Sequence, residues 1–215
     1  ALALLAIGLV VSIPLQQSTA TISSTSSLKT VLVDTQQWRL NVGVFVLHAV
    51  QMAMWVVLPQ RLNELNMSHG ASAWLYFGVI LVSMAIMVPL IIRAEKYGKM
   101  QSVMALSIAL VAVAQIGLAL NVGGLVGIAV ALLLFFIGFN VLEATQPSLL
   151  SKLTHPASKG AAAGVYNTVQ ALGLFAGAAG GAWLNAHFSG YGLFISTAVL
   201  SGMWLWMHLN KPTAS

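Results

Sequence analysis

Residues 72–92 read SAWLYFGVILVSMAIMVPLII, twenty-one residues without a charged side chain, and residues 93–99 that follow read RAEKYGK. Wound as an α-helix, such a run reaches about 31 Å, the thickness of the hydrocarbon core of a bilayer. An apolar stretch of that length closed by basic residues has the form of a membrane span ending in a retained loop. Composition extends the reading to the whole chain. Of its 215 residues 59% are hydrophobic and 6% charged, with a mean hydropathy of +0.90, whereas a soluble domain carries about 25% charged residues. A soluble globular domain is therefore excluded. Cysteine is absent, which removes disulfide scaffolds, thiol catalysis, Cys-bound zinc and iron–sulfur clusters. The 19 Gly and 9 Met suit closely packed membrane helices.

Working outward, five more runs are long enough to span: 40–58, 100–120, 125–142, 161–185 and 191–209. The expected fold is an all-α integral membrane bundle of six complete transmembrane helices, preceded by the end of another. Residues 1–15 are that end, apolar but too short to cross alone. The competing reading, a signal peptide closing at Ser18-Thr19-Ala20, lacks a basic n-region. Residues 16–39 begin Ser/Thr-rich and read as a cytoplasmic connector. Residues 40–209 form the bundle, and 210–215 a cytoplasmic tail.

The net charge of +5 reports topology rather than an acidic partner such as nucleic acid. Lys29 and Arg39, then Arg93, Lys96 and Lys99, then Lys152 and Lys159, and finally Lys211 fall on one side of the alternating spans. Only Arg61 falls on the other. Both ends of the segment are thus expected in the cytoplasm. Three spans followed by three spans fits a pair of inverted three-helix repeats, a common transporter plan. Counting alone would equally fit a six-helix channel or a membrane-embedded enzyme.

Chemistry narrows the choice. Metal binding is not expected, because His48, His69, His155, His187 and His208 lie on separate segments without a carboxylate at ligand spacing. No Gly-x-Ser-x-Gly elbow or phosphate-cradling loop occurs, so neither an enzyme nor a cofactor is expected. Polar groups at membrane depth need partners. His48 and Gln51 are three apart in the first span; Asn140, Glu143 and Gln146 follow at threes in the fourth; Tyr166, Asn167 and Gln170 open the fifth. They are the candidates for a shared substrate cavity, or else for hydrogen bonds that staple helices. Glu143 is the only acidic residue within a span. A charged carboxylate there costs on the order of 2.5–3.5 kcal/mol, so Glu143 should be protonated or paired. It and His48 are the proton-coupling candidates, a bland buried imidazole being the alternative for His48.

Gly164, Gly173, Gly177, Gly180 and Gly181 put small residues along the fifth span, several at spacings of three or four, where another backbone can approach. Trp55, Trp74, Trp183, Trp204 and Trp206 lie toward span ends as interfacial anchors. Pro59 and Pro89 read as helix ends, and Pro147 as a bend or a stop. In the 93–99 loop, Glu95, Lys96, Gly98 and Lys99 form an acidic, basic, any, Gly, basic series. They are candidates for a cytoplasmic gate, or simply the basic loop that insertion demands.

That series resembles the loop signature of the major facilitator superfamily, in the weaker copy of its C-terminal half, with Ile91 where the pattern has its first Gly. Residues 46–59 (VLHAVQMAMWVVLP), 139–150 (FNVLEATQPSLL) and 161–181 (AAAGVYNTVQALGLFAGAAGG) resemble the seventh, tenth and eleventh helices of the drug:proton antiporter branch of that superfamily, nearest to YajR-type exporters. The resemblance covers residues 39 to 209. It implies the C-terminal half of a proton-coupled exporter of small organic or amphipathic compounds, in a bacterial inner membrane. Its partners would be the lipid bilayer, a missing N-terminal six-helix half, a small-molecule substrate and protons. A non-transporting membrane scaffold, or a half-size protein that assembles with itself, is the alternative.

Overall fold

The computed structural model describes residues 31–210. The truncated helix at 1–15, most of the connector and the end of the tail lie outside the described residues. Among those residues there are helices and turns and no strand: α1 (Thr35–Glu64), α2 (His69–Lys96), α3 (Met100–Leu120), α4 (Gly124–Leu153), a short 3-10 turn (Pro156–Ser158) and α5 (Lys159–Leu209). All five α-helices are long and apolar enough to cross a membrane.

The helix ends follow from local chemistry. Asp34 opens α1 by accepting from the backbone of Gln36 at 2.8 Å and Gln37 at 3.0 Å, so the helix begins five residues ahead of its apolar run. Ser68 caps α2 through Ala71 N. Gly98, at φ 64°, makes the reversal from α2 into α3 that a side chain would strain. Pro59, Pro89 and Pro147 all lie inside helices rather than at their ends. Each removes a single ladder bond, and packed neighbours tolerate that within a membrane bundle.

The 51 residues of α5 exceed any bilayer, and Ser189 (φ 59°, ψ 177°) breaks them into arms 159–188 and 190–209. The two arms run in opposite directions. Gly173, Gly177 and Gly181 climb α1 past Phe45, Ala49 and Ala53, after which Gly190 meets Val57 and Arg61, and Trp204 returns to Gly43. With the two arms of α5 counted separately, the described residues hold six long helical segments. Trp204 is not an interfacial anchor: it is buried, its ring against Gly43. Trp74, Trp183 and Trp206 are exposed.

The core lies where α1, α3, α4 and the second arm meet, with Leu47, Met54, Leu58, Ile108, Leu132, Phe135, Leu193 and Phe194 fully enclosed. Polar staples cross it. Thr197 donates to Gln115 at 3.1 Å between the second arm and α3, and Asn140 donates to Ser83 at 2.9 Å between α4 and α2. By contrast α2 buries only Val79, Ser83 and Ala94, and leaves Trp74, Phe77, Leu81 and Val88 outside.

Candidate functional site

His48 is brought to the inner side of α1 by that helix's close approach to α5. A Cβ at Gly173, Gly177 or Gly181 would run into the backbone of Phe45, Ala49 or Ala53, so the two helices touch main chain to main chain. Gly164 and Gly180 lie off that face, and a Cβ at either would meet nothing within 4 Å among the described residues. Gln170 sits one turn before Gly173, and the contact carries its amide to the imidazole.

There the geometry is closed on three sides. His48 Nδ1 is 2.9 Å from the carbonyl of Val44, Nε2 is 2.8 Å from Gln170 Nε2, and Glu143 Oε1 lies 3.3 Å from the same Nε2. Phe139 packs its ring against the imidazole, centroids 5.8 Å apart. A carbonyl can only accept, so Nδ1 carries a hydrogen, and in the neutral ring Nε2 offers its lone pair. Gln170 then donates to it. The side chain of His48 is 4% exposed and that of Glu143 35%. The histidine is sealed while the carboxylate keeps one side open.

That open side faces a pocket of about 280 Å³ between α4 and the first arm of α5, lined by Glu143, Pro147, Lys159, Tyr166, Asn167 and Gln170 among others. Of the substrate-cavity candidates, Tyr166, Asn167 and Gln170 therefore stand together around Glu143. Gln146 stands elsewhere: it accepts from Tyr166 at 3.4 Å and lines a second cavity toward α1 and α3. Asn140 is turned to Ser83 on α2. Gln51, three residues beyond His48, is half-buried and lines neither cavity. Among the described residues no three His, Asp or Glu side chains come together as a metal site would require.

At the bundle end where α1 begins, Glu95 pairs with Lys152 of α4 at 3.7 Å, both well exposed. Lys96 instead lies over the ring of Tyr97, 5.8 Å from its centroid, and Lys99 begins the turn into α3. In the sequence Lys152 and Lys159 read only as topology charges. At the opposite end Arg61 donates to the carbonyl of Leu118 and lies 4.7 Å from the Phe194 ring centroid. Its standing as the lone basic residue on that side was the signal for such a role.

A family model described as Major Facilitator Superfamily matches residues 40–215. The chain belongs to the major facilitator superfamily. It is 36% identical over 179 residues to the Inner membrane transport protein YajR of Escherichia coli (strain K12), covering 83% of this chain and 39% of that protein. It is 25% identical over 162 residues to the Multidrug resistance protein MdtH of Aeromonas hydrophila, covering 75% of this chain and 41% of that one. The chain thus spans about two-fifths of the length of these major facilitator relatives.

Proposed function

We propose that this chain is the C-terminal half of a proton-coupled secondary transporter of an inner membrane, exporting small organic or amphipathic compounds by alternating access. In this reading both ends of the segment are cytoplasmic, and a six-helix N-terminal half faces the sparsely buried α2 and the first arm of α5. The observation that carries it is the 3.3 Å approach of Glu143 to His48 at the edge of a pocket inside a bundle of apolar helices. The names of the relatives, an inner membrane transport protein and a multidrug resistance protein, agree with it.

The coupling follows from proton counting. One proton shared by Glu143 and His48 gives either a carboxylic acid beside a neutral imidazole or a carboxylate beside an imidazolium, and both are neutral overall. In the second arrangement Nε2–H donates to Glu143, and Gln170 must turn its oxygen to the ring. Loss of that proton leaves one uncompensated negative charge, which is costly at membrane depth and which a cationic substrate in the pocket would balance. Proton and substrate then compete for the one carboxylate. Such competition links their fluxes without further machinery.

Glu143→Gln tests this, because Gln keeps the size and hydrogen bonding of the acid but cannot titrate. In proteoliposomes of the intact protein, screened with cationic amphipathic compounds, the variant is expected to bind substrate yet lose transport driven by a pH gradient. Wild-type pH dependence in that variant would remove Glu143 from the coupling. Saturable flux by the present chain alone, as a monomer, would overturn its reading as a half.

A further inference from the structure

We propose that the crevice between α1, α3, α4 and the second arm of α5 binds the anionic head of an acyl-chain amphiphile, at a site separate from the Glu143 pocket. The crevice measures about 480 Å³, within the range of pockets that hold small ligands. It follows α1 from Thr35 to Gly43, a length of about 12 Å at the helical rise.

Two donors on its walls lack acceptors among the described residues. Arg39 Nη2 donates to Asn210 O at 3.3 Å, but Nη1 is buried without a partner. Gln146 is 1% exposed; its oxygen accepts from Tyr166, and its Nε2 has no partner. A buried donor left unmade costs about 1–3 kcal/mol, and more when it is charged. Both orphans are donors, and no described residue lining the crevice is acidic. The missing partner is therefore an acceptor, and beside a guanidinium it is an anion.

Thr35, Gln36, Gln101 and His208 also line the crevice, but most of its wall surface is apolar, with Leu40, Met104, Leu149, Leu153 and Met207. A chainless anion would leave that surface unmatched, whereas an acyl chain would cover it. The setting favours the same ligand. This is the bundle end that carries Arg93, Lys96, Lys99 and Lys152, and basic pockets between transmembrane helices take acidic head groups. Gln146 joins the crevice to the Glu143 pocket, since its oxygen holds Tyr166.

The test is equilibrium binding of radiolabelled oleate to the intact, delipidated protein in a non-ionic detergent, without a pH gradient. Binding should be saturable, at least tenfold weaker in Arg39→Gln and in Leu149→Trp, and only partly weakened in Arg39→Lys. Competition by dioleoylphosphatidylglycerol identifies a bilayer lipid as the source, and its failure a free fatty acid; both support the site. Acetate or inorganic phosphate displacing oleate at equal concentration would overturn the requirement for a chain. Undiminished binding in Arg39→Gln, checked as folded by its melting curve, would overturn the site even if Leu149→Trp fails to fold. The assay does not depend on Glu143, so its failure leaves the transport reading standing.

Discussion

The side-chain amide of Gln170 stands 2.8 Å from His48 Nε2. The contact joins the first arm of α5 to α1 across a buried ring, so the two side chains should behave as one unit. His48→Ala is expected to lower stability by about 1–3 kcal/mol, the cost of stranding a buried polar partner. Gln170→Ala should cost less, and the double variant about as much as His48→Ala alone. Unfolding in a denaturing detergent series measures all three. Effects that add to within about 0.5 kcal/mol would mean that the pair does not interact.

Gly177 and Gly180 lie on the same helix arm with opposite surroundings. Gly177→Leu drives a side chain into the backbone of Ala49 and should cost at least the ~1–3 kcal/mol of an overpacked core. Gly180→Ala meets open space and should leave stability level or raise it by up to about 1 kcal/mol, through reduced unfolded-state freedom. Thermal melts followed by size-exclusion chromatography distinguish them. Equal losses at both sites would show that close approach to α1 does not distinguish them.

Arg61 ties three elements together at one end of the bundle: α1, the last carbonyls of α3, and the turn after Ser189. The carbonyl of Leu118 belongs to the last turn of α3, which its own helix leaves unpaired. Arg61→Lys keeps the charge but loses the planar fork that serves Leu118 and Phe194 together. A loss of about 1–3 kcal/mol is expected, with membrane insertion unaffected. A melting temperature unchanged in Arg61→Lys would reduce the residue to a point charge.

Glu95 and Lys152 pair at 3.7 Å in the open, and exposed pairs contribute about 1 kcal/mol or less. Glu95→Lys should shift the equilibrium between conformations of the intact protein by no more than that, and adding Lys152→Glu should restore it. Spin labels on the ends of α2 and α4 would report the populations. Failure of the reversed pair to restore the wild-type distances would leave this loop as a topology signal only.

The long helical segments were legible because apolar length is a local property, and even the turn between 185 and 191 brackets the break at Ser189. The site was legible only as a set of polar residues. His48 and Glu143 lie 95 positions apart, and nothing in either helix records that α1 and α4 bring them within 3.3 Å. Asn140, Glu143 and Gln146 illustrate the other limit. Steps of three on a helix fall about 60° short of a full turn, so the series spreads over roughly a third of the circumference. It accordingly meets three neighbours: Ser83 of α2, His48 of α1, and Tyr166 of α5. Spacing identified the residues as inward, but only packing assigns each its partner.

The glycine contact has a further consequence. His48 and Gln170 ride on α1 and α5, whose backbones are in contact. Glu143 rides on α4, which packs chiefly against α2 and α3. The gap between carboxylate and ring is thus set by how α4 sits against α1, measured at one atom. A shift of about 1 Å between those helices would carry the pair beyond hydrogen-bond reach. The contact is in this sense a gauge, reading at one atom how closely those helices fit.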